Sequence, residues 1–185
     1  RVRSSAASDV YKRQVRSLGM PYAPEHFKKL YGEDFDYDKV HTYRRKLTDQ
    51  VLDEGPIEAK PGAEELLKYL RKKGVRTAIA TAGGVERSSS LLKRVGLYDY
   101  LDHIVSARQV AHGKPAPDVY LYACSQLHVQ PQECYAVEDS PNGIHSAYSA
   151  GCKVFMVPDL TQPDAELEKF IYKKVESLVA LKEYF

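Results

Sequence analysis

The feature that most constrains this chain is a regular alternation of short apolar strands and amphipathic helices after Pro61. The predicted strands VRTAIAT, HIVSA, CYAVED and KVFMVP are separated by predicted helices and joined by short links. Such an alternation predicts an α/β fold, in which a parallel sheet carries helices on both faces. Ligands of these sheets bind beyond the carboxyl ends of the strands, so the residues that follow each strand are the first candidates for function.

The composition excludes several other classes of protein. The 185 residues are 43% hydrophobic and 28% charged, which is typical of one globular domain rather than a disordered chain. The net charge of +2 comes without a dense basic block, so we expect neither nucleic acid nor a membrane as a partner. The cysteines Cys124, Cys134 and Cys152 lack a C-x-x-C spacing. We therefore expect reduced thiols, a cytoplasmic protein and no zinc site.

Residues 15–54, ahead of the alternation, are charged and aromatic. Apolar residues recur there every three or four positions, and this spacing predicts an amphipathic helix. The positions on its apolar face are Val40, Tyr43, Leu47 and Val51. A break near Gly55 separates this region from residues 55–185.

Residues 1–14 are interpreted as a separate leader. They begin without Met, show no helical or strand period, and from Ser4 to Gln14 resemble the translation of a sequencing adapter. We expect this leader to be foreign to the protein or a disordered N-terminus, and it takes no part in the predicted fold.

The first candidate site follows the strand VRTAIAT, at Thr81, Ala82, Gly83 and Gly84. A hydroxyl and backbone N–H groups at the start of a helix bind anions, because the helix dipole and its unpaired donors point the same way. The same residues are also typical of an ordinary turn, so this motif alone leaves both interpretations open.

The second candidate is Lys114, in the sequence GKPAPD. Two prolines restrict the backbone around it, and a lysine held in this way suits contact with a phosphoryl group. The alternative is a proline-stiffened loop with a solvated lysine.

The third candidate is the carboxylate pair Glu138 and Asp139 at the end of the strand CYAV. Adjacent carboxylates are costly to hold beside a sheet without a cation. Mg²⁺, which proteins bind through one or two carboxylates together with substrate phosphate, is the natural counter-ion. Alternatively, Asp139 or Ser140 only caps the following helix.

Together these motifs resemble the haloacid dehalogenase superfamily, in its phosphatase and beta-phosphoglucomutase branch. The resemblance rests on the order of Thr81, GKPAPD at Gly113–Asp118 and VEDSPNGIHSAYSAG at Val137–Gly151. It implies a Rossmann-like core over residues 55–185, with residues 15–54 as the remnant of a helical cap. It also implies a Mg²⁺-dependent phosphatase of a small phosphorylated metabolite, acting through an aspartyl-phosphate.

The resemblance also assigns roles to the candidate residues. The Thr81 hydroxyl and the Ala82 amide would bind phosphate. Lys114 would steady the nucleophile and the transferring phosphoryl group, as phosphoryl transfer requires positioning and charge neutralisation. Asp139 would ligate Mg²⁺, and Glu138 would either bind the metal through water or support the groups around it.

The chain departs from the family at its nucleophile, which the family carries in a D-x-D motif on the first strand. Asp34 and Asp36 match the letters, but no apolar strand precedes them. We therefore predict that the first strand, central in the family between the strands ending at Thr81 and Glu138, is missing and leaves two open strand edges. We expect a truncated chain that is poorly stable, binds Mg²⁺ weakly and is inactive alone.

Two alternatives to the phosphatase stay open. A beta-phosphoglucomutase-type phosphotransferase differs from it in cap residues. A natural inert fragment would instead act as a binding module without a nucleophile. For the enzyme we expect a small phosphorylated substrate and a monomer, and the substrate itself is not specified by this sequence.

Overall fold

The structure is a computed structural model that describes residues 18–185, so the leader predicted at residues 1–14 lies outside it. The helices are α1 (Tyr22–Tyr31), α2 (Tyr37–Glu54), α3 (Ala63–Lys72), α4 (Val85–Arg94), α5 (Asp118–Gln126), α6 (Pro141–Ser149) and α7 (Ala165–Glu168). The strands are β1 (Ala78–Thr81), β2 (His103–Ser106), β3 (Tyr135–Glu138), β4 (Lys153–Met156) and β5 (Lys173–Lys174). Among these helices none is long and apolar enough to cross a membrane.

The strands form two parallel sheets, β1–β2 and β3–β4–β5. Thr81 pairs with Ser106 at the carboxyl end of the first sheet, and Glu138 pairs with Met156 at that of the second. The four longer strands are those that the sequence predicts, and the α/β class is confirmed. Within residues 18–185, β1 and β3 each lie at an edge of their sheet and do not pair with each other.

Helix α5 connects the two sheets through the hydrophobic core. Val119 on this helix packs in a cluster with Val105 of β2. Cys124, farther along the same helix, packs in another cluster with Ile144 of α6 and Met156 of β4. One helix therefore contributes buried side chains to both sides of the space between β1 and β3.

Helix α2 forms where the apolar spacing predicts it, but its apolar face is not buried. The four positions of that face are between 45% and 69% exposed. The helix instead contacts α4 through polar groups: Arg87 Nε lies 3.3 Å from Asp49 Oδ1, and Arg94 donates to the Gly55 carbonyl. Periodicity thus predicts the helix correctly, whereas the burial of its apolar face depends on what packs against it. The division into a cap at 15–54 and a core at 55–185 stays a prediction.

The segment ahead of α1 lies against the loop that carries Lys114. Gly19 N–H donates to the Lys114 carbonyl at 2.8 Å, and Gly113 N–H donates to the Met20 carbonyl at 2.7 Å. A Cβ atom on Gly19 would stand 2.8 Å from the Gly113 Cα, so this approach requires glycine. The backbone beside Lys114 is therefore held in place by Gly19 and Met20, which lie outside the predicted core at residues 55–185.

Candidate active site

Lys114 is buried at the carboxyl ends of β1 and β3. Its ammonium Nζ lies 2.5 Å from Glu138 Oε1 and donates to the Ala80 carbonyl at 3.3 Å. The side chain is 7% exposed, so the alternative of a solvated lysine does not hold in this structure. The lysine joins the end of one sheet to the end of the other.

Glu138 accepts hydrogen bonds at both of its carboxylate oxygens. Oε1 accepts from Lys114 Nζ and from the Tyr120 hydroxyl at 2.5 Å, and Oε2 accepts from the Asp139 N–H at 3.2 Å and the Ser140 hydroxyl at 3.1 Å. Burial alone would raise the pKa of Glu138, but the Lys114 charge and these hydrogen bonds outweigh it and lower the pKa. Of the two roles implied for Glu138, this geometry favours support of the neighbouring groups.

The residues after Glu138 hold its carboxylate in place. The Ser140 hydroxyl accepts a hydrogen bond from the Gly143 N–H at 3.2 Å, so Ser140 caps α6 as one of the alternatives predicted. A Cβ atom on Gly143 would stand 2.1 Å from Glu138 Oε2. Only glycine leaves room for the carboxylate at this position of the helix.

Tyr120 is a site residue that the sequence reasoning missed. Its hydroxyl donates to Glu138 Oε1, and the Lys114 ammonium lies 5.1 Å from its ring centre. Burial, and then the negative charge of Glu138, raise the pKa of the Tyr120 phenol well above its usual value. An aromatic residue inside a predicted helix is typical of core packing, so its sequence position gave no sign of this contact.

The turn after β1 has the residues expected of an anion site. The Thr81 hydroxyl accepts a hydrogen bond from Gly83 N–H at 3.0 Å, and the Ser106 hydroxyl donates to the Gly83 carbonyl at 2.5 Å. These bonds are those of a structured turn. A hydroxyl that accepts one hydrogen bond still keeps its hydrogen for donation, so Thr81 can serve both roles. Ala82, the next residue, is exposed.

Arg108 adds a second cation to this edge of the sheets. A Cβ atom on Gly84 would stand 3.3 Å from an Arg108 guanidinium nitrogen, which places the guanidinium against the turn. Arg108 follows β2, and the sequence reasoning did not select it because no motif accompanies it. Its position beside Thr81–Gly84 suits contact with an anion.

The acidic candidates lie in two different settings. Asp139 is half-buried and follows β3 directly. Asp34 lies in the turn between α1 and α2, and Asp36 caps α2 by accepting from the Lys39 N–H at 2.9 Å. Neither follows a strand, as expected. No cluster of three or more His, Cys, Asp or Glu side chains able to hold a metal occurs among residues 18–185.

Comparison with known proteins decides the family. A model of the haloacid dehalogenase-like hydrolases matches residues 5–151, a range that begins inside the predicted leader. The chain belongs to the haloacid dehalogenase-like hydrolases. In this hydrolase Thr81 and Glu138 end two strands, and the Lys114 side chain reaches the same edge from a loop.

Relatives of this haloacid dehalogenase-like hydrolase include named phosphatases. It is 28% identical over 200 residues to a phosphorylated carbohydrates phosphatase of Thermotoga maritima, covering 95% of this chain and 90% of the relative. It is 43% identical over 101 residues to hexitol phosphatase A of Escherichia coli, covering 55% of this chain but only 46% of the relative.

Solved structures agree with the fold. Beta-phosphoglucomutase from Clostridium difficile superposes with a TM-score of 0.76 at 23% identity, covering 95% of this chain and 78% of that one. CbbY from Rhodobacter sphaeroides, solved with phosphate, superposes with a TM-score of 0.67 at 26% identity, covering 80% of this chain and 67% of that one.

The close fit of Gly143 against Glu138 yields the first prediction. Gly143→Ala should destabilise the chain by about 2 kcal/mol, because the methyl group must displace the carboxylate or the helix. Helix propensity alone predicts the opposite sign, a stabilisation of about 0.5–1 kcal/mol. Urea unfolding measures the difference. Gly83→Ala is the matched control, with only ordinary contacts at 3.4 Å or beyond, and should change stability by less than about 1 kcal/mol. A stabilised Gly143→Ala would contradict the geometry.

The ionised Glu138 yields a prediction about pH. Its pKa in the folded chain lies below the usual 4.5, so the unfolded chain takes up the proton first as the pH falls. The stabilisation of the folded chain by ionised Glu138 is therefore complete above about pH 4.5 and is lost as the pH falls through the folded pKa of this residue. Urea unfolding of the wild type and Glu138→Gln from pH 7 to pH 3 isolates the contribution of Glu138 to the free energy of unfolding. The difference should be about 3 kcal/mol near neutrality and shrink below about pH 4.5. A difference that stays constant down to pH 3 would show that Glu138 is not an ionised partner of Lys114.

Proposed function

We propose that this chain carries the phosphate-binding and charge-neutralising part of a Mg²⁺-dependent phosphatase that acts on a small phosphorylated metabolite. The observation that supports this most directly is the Lys114 ammonium, held at the carboxyl ends of β1 and β3 by Glu138 and Ala80. A fixed cation at the ligand-binding edge of a parallel sheet suits an anionic transferring group. The named phosphatases among the relatives support the reaction class.

The phosphoryl group is assigned to the space bounded by Thr81, Ala82 and Lys114. The Thr81 hydroxyl hydrogen and the Ala82 N–H would donate to phosphoryl oxygens at the start of α4, where the helix dipole favours negative charge. Lys114 would neutralise the charge that spreads over those oxygens during transfer. Arg108, against the same turn, is a further candidate for contact with the substrate.

We assign to Mg²⁺ one protein ligand at this site rather than a full set of ligands. The metal takes one or two carboxylates together with waters and substrate phosphate, and Asp139 supplies one carboxylate directly after β3. Glu138 already accepts four hydrogen bonds from protein groups, so the metal is assigned to Asp139. When bound, Mg²⁺ would supply charge neutralisation at the phosphoryl group. With a single carboxylate we expect weak affinity.

The nucleophile is assigned to a strand that pairs with both open edges. β1 and β3 each have an unpaired edge among the described residues, and Val137 on β3 is 40% exposed although it lies in a parallel strand. A strand placed there would end beside Lys114, so an aspartate at its carboxyl end could attack a phosphoryl group held by Thr81. Covalent catalysis needs that group, so the 185-residue chain should not turn over.

A direct test supplies the strand. The 185-residue chain should release no phosphate from hexose or hexitol phosphates, with or without Mg²⁺. An otherwise identical chain with an apolar strand ending in Asp-x-Asp ahead of residue 15 should release phosphate, and EDTA should abolish the release. Turnover by the unextended chain would overturn the proposed inactivity. A well-folded extended chain without turnover would overturn the assignment of the nucleophile. Conversion of a hexose 1-phosphate to its 6-phosphate isomer would favour the mutase alternative.

A second test isolates the phosphate-binding hydroxyl. In the extended chain, Thr81→Val should lower kcat/KM by about 100-fold, because one donor to the transferring group is lost. Thr77→Val is the matched control at the opposite end of β1, where the hydroxyl donates to the Tyr100 carbonyl. It should cost about 1 kcal/mol of stability and leave kcat/KM within about twofold. Equal kcat/KM losses in the two variants would show that Thr81 acts through stability alone.

A further inference from the structure

The three cysteines, scattered in the sequence, come together in the core. Cys124 lies on α5, Cys134 immediately precedes β3, and Cys152 precedes β4. All three are free thiols, and the Cys124 and Cys134 sulfurs lie 3.6 Å apart. Cys124 and Cys152 belong to the same buried cluster, and Cys134 packs against it. No role in phosphoryl transfer uses any of them.

The three thiols differ in access and in acidity. Cys124 and Cys152 are buried, whereas Cys134 is partly exposed and its thiol donates to the Gln130 carbonyl at 3.4 Å. Burial and contact with Cys124 raise the pKa of Cys134 to about 12. The hydrogen bond with Cys152, together with burial, raises the pKa of Cys124, while the same bond lowers that of Cys152. A reagent from solution therefore meets Cys134 first, and Cys134 reacts slowly because little of it is thiolate.

We propose that Cys124 and Cys134 are a redox-sensitive dithiol, a modification site that closes to an intramolecular disulfide on reaction with hydroperoxides or low-molecular-weight disulfides. The reachable sulfur, Cys134, reacts first with the oxidant, and Cys124, whose sulfur lies 3.6 Å away, resolves the product. Cys152 is left as a thiol.

The chemistry balances for both classes of oxidant. With a hydroperoxide, the Cys134 thiolate attacks the O–O bond and becomes a sulfenic acid while the peroxide leaves as an alcohol. The Cys124 sulfur then attacks the sulfenic sulfur, and the hydroxyl group leaves as water with the Cys124 proton. Two thiols lose two electrons and two protons, and the peroxide takes up both. With glutathione disulfide, the same two sulfurs release two molecules of glutathione through a mixed disulfide.

The disulfide would connect elements that the candidate active site also connects. A disulfide has its sulfurs about 2.05 Å apart, so the Cys124 and Cys134 sulfurs must approach by about 1.5 Å. The bond would tie the end of α5 to the start of β3. Tyr120 lies one turn before Cys124 on α5, and Glu138 lies at the other end of β3, joined by their hydrogen bond. Oxidation would therefore add a covalent link between two elements already joined by a polar contact.

Equilibration of the full chain with glutathione tests this proposal without any measurement of activity. After acid quenching and alkylation, peptide mapping should find one disulfide between Cys124 and Cys134, with Cys152 alkylated. Dithiothreitol should reverse it. The oxidised chain should melt roughly 5 °C higher than the reduced chain. A disulfide that stabilises the folded chain must also form more readily in the folded chain than in the unfolded one. The equilibrium constant for oxidation should therefore be about tenfold larger in buffer than in urea.

Variants identify which sulfurs take part. Cys152→Ser is the matched control and should keep both the disulfide and the rise in Tm, whereas Cys134→Ser should lose both. Pairing of Cys124 with Cys152, disulfide-linked dimers in place of the intramolecular bond, or an equilibrium constant no larger in buffer than in urea would each overturn the proposal.

Discussion

Among residues 18–185, two sheets whose edge strands β1 and β3 do not pair with each other are connected at their carboxyl ends by a buried ion pair between Lys114 and Glu138. Both charges lie away from water, where an unpaired charge costs several kcal/mol. Each is therefore surrounded by partners: Lys114 also donates to Ala80, and Glu138 accepts from Tyr120 and Ser140. At this edge the Lys114 ammonium thus bridges the Ala80 carbonyl of β1 and the Glu138 carboxylate of β3.

The support for this ion pair comes from several elements. The backbone beside Lys114 bonds to Gly19 and Met20, and α5 supplies Tyr120 while its other residues pack in the clusters of both sheets. Such an arrangement fixes the ammonium before any ligand arrives. Preorganised charge of this kind needs no rearrangement during a reaction, which is the property that electrostatic catalysis requires, and the proposed phosphoryl transfer would use it.

The sequence predicts the parts of this arrangement that belong to a motif after a predicted strand. Thr81 and Glu138 end two of the strands and Lys114 lies in the loop after a third, so all three are expected at one edge, because parallel strands put their carboxyl ends together. It does not predict Tyr120 or Arg108, since each reaches the site from an element whose pattern indicates only packing or a turn. The exposure of the apolar face of α2 could not be predicted either, because a helical period reports which residues share a face and not what covers that face.

The segment after β3 shows why a motif can be predicted correctly and its chemistry only in part. Two adjacent carboxylates indicate a cation, and the structure supplies one for Glu138 in the form of Lys114. Ser140 then caps α6 while donating to Glu138, and Gly143 leaves the space that the carboxylate occupies. Ser140 and Gly143 thus both adapt the start of α6 to the Glu138 carboxylate. Asp139, between Glu138 and the cap, is the carboxylate to which the proposed metal ion is assigned, because Glu138 is already the partner of Lys114.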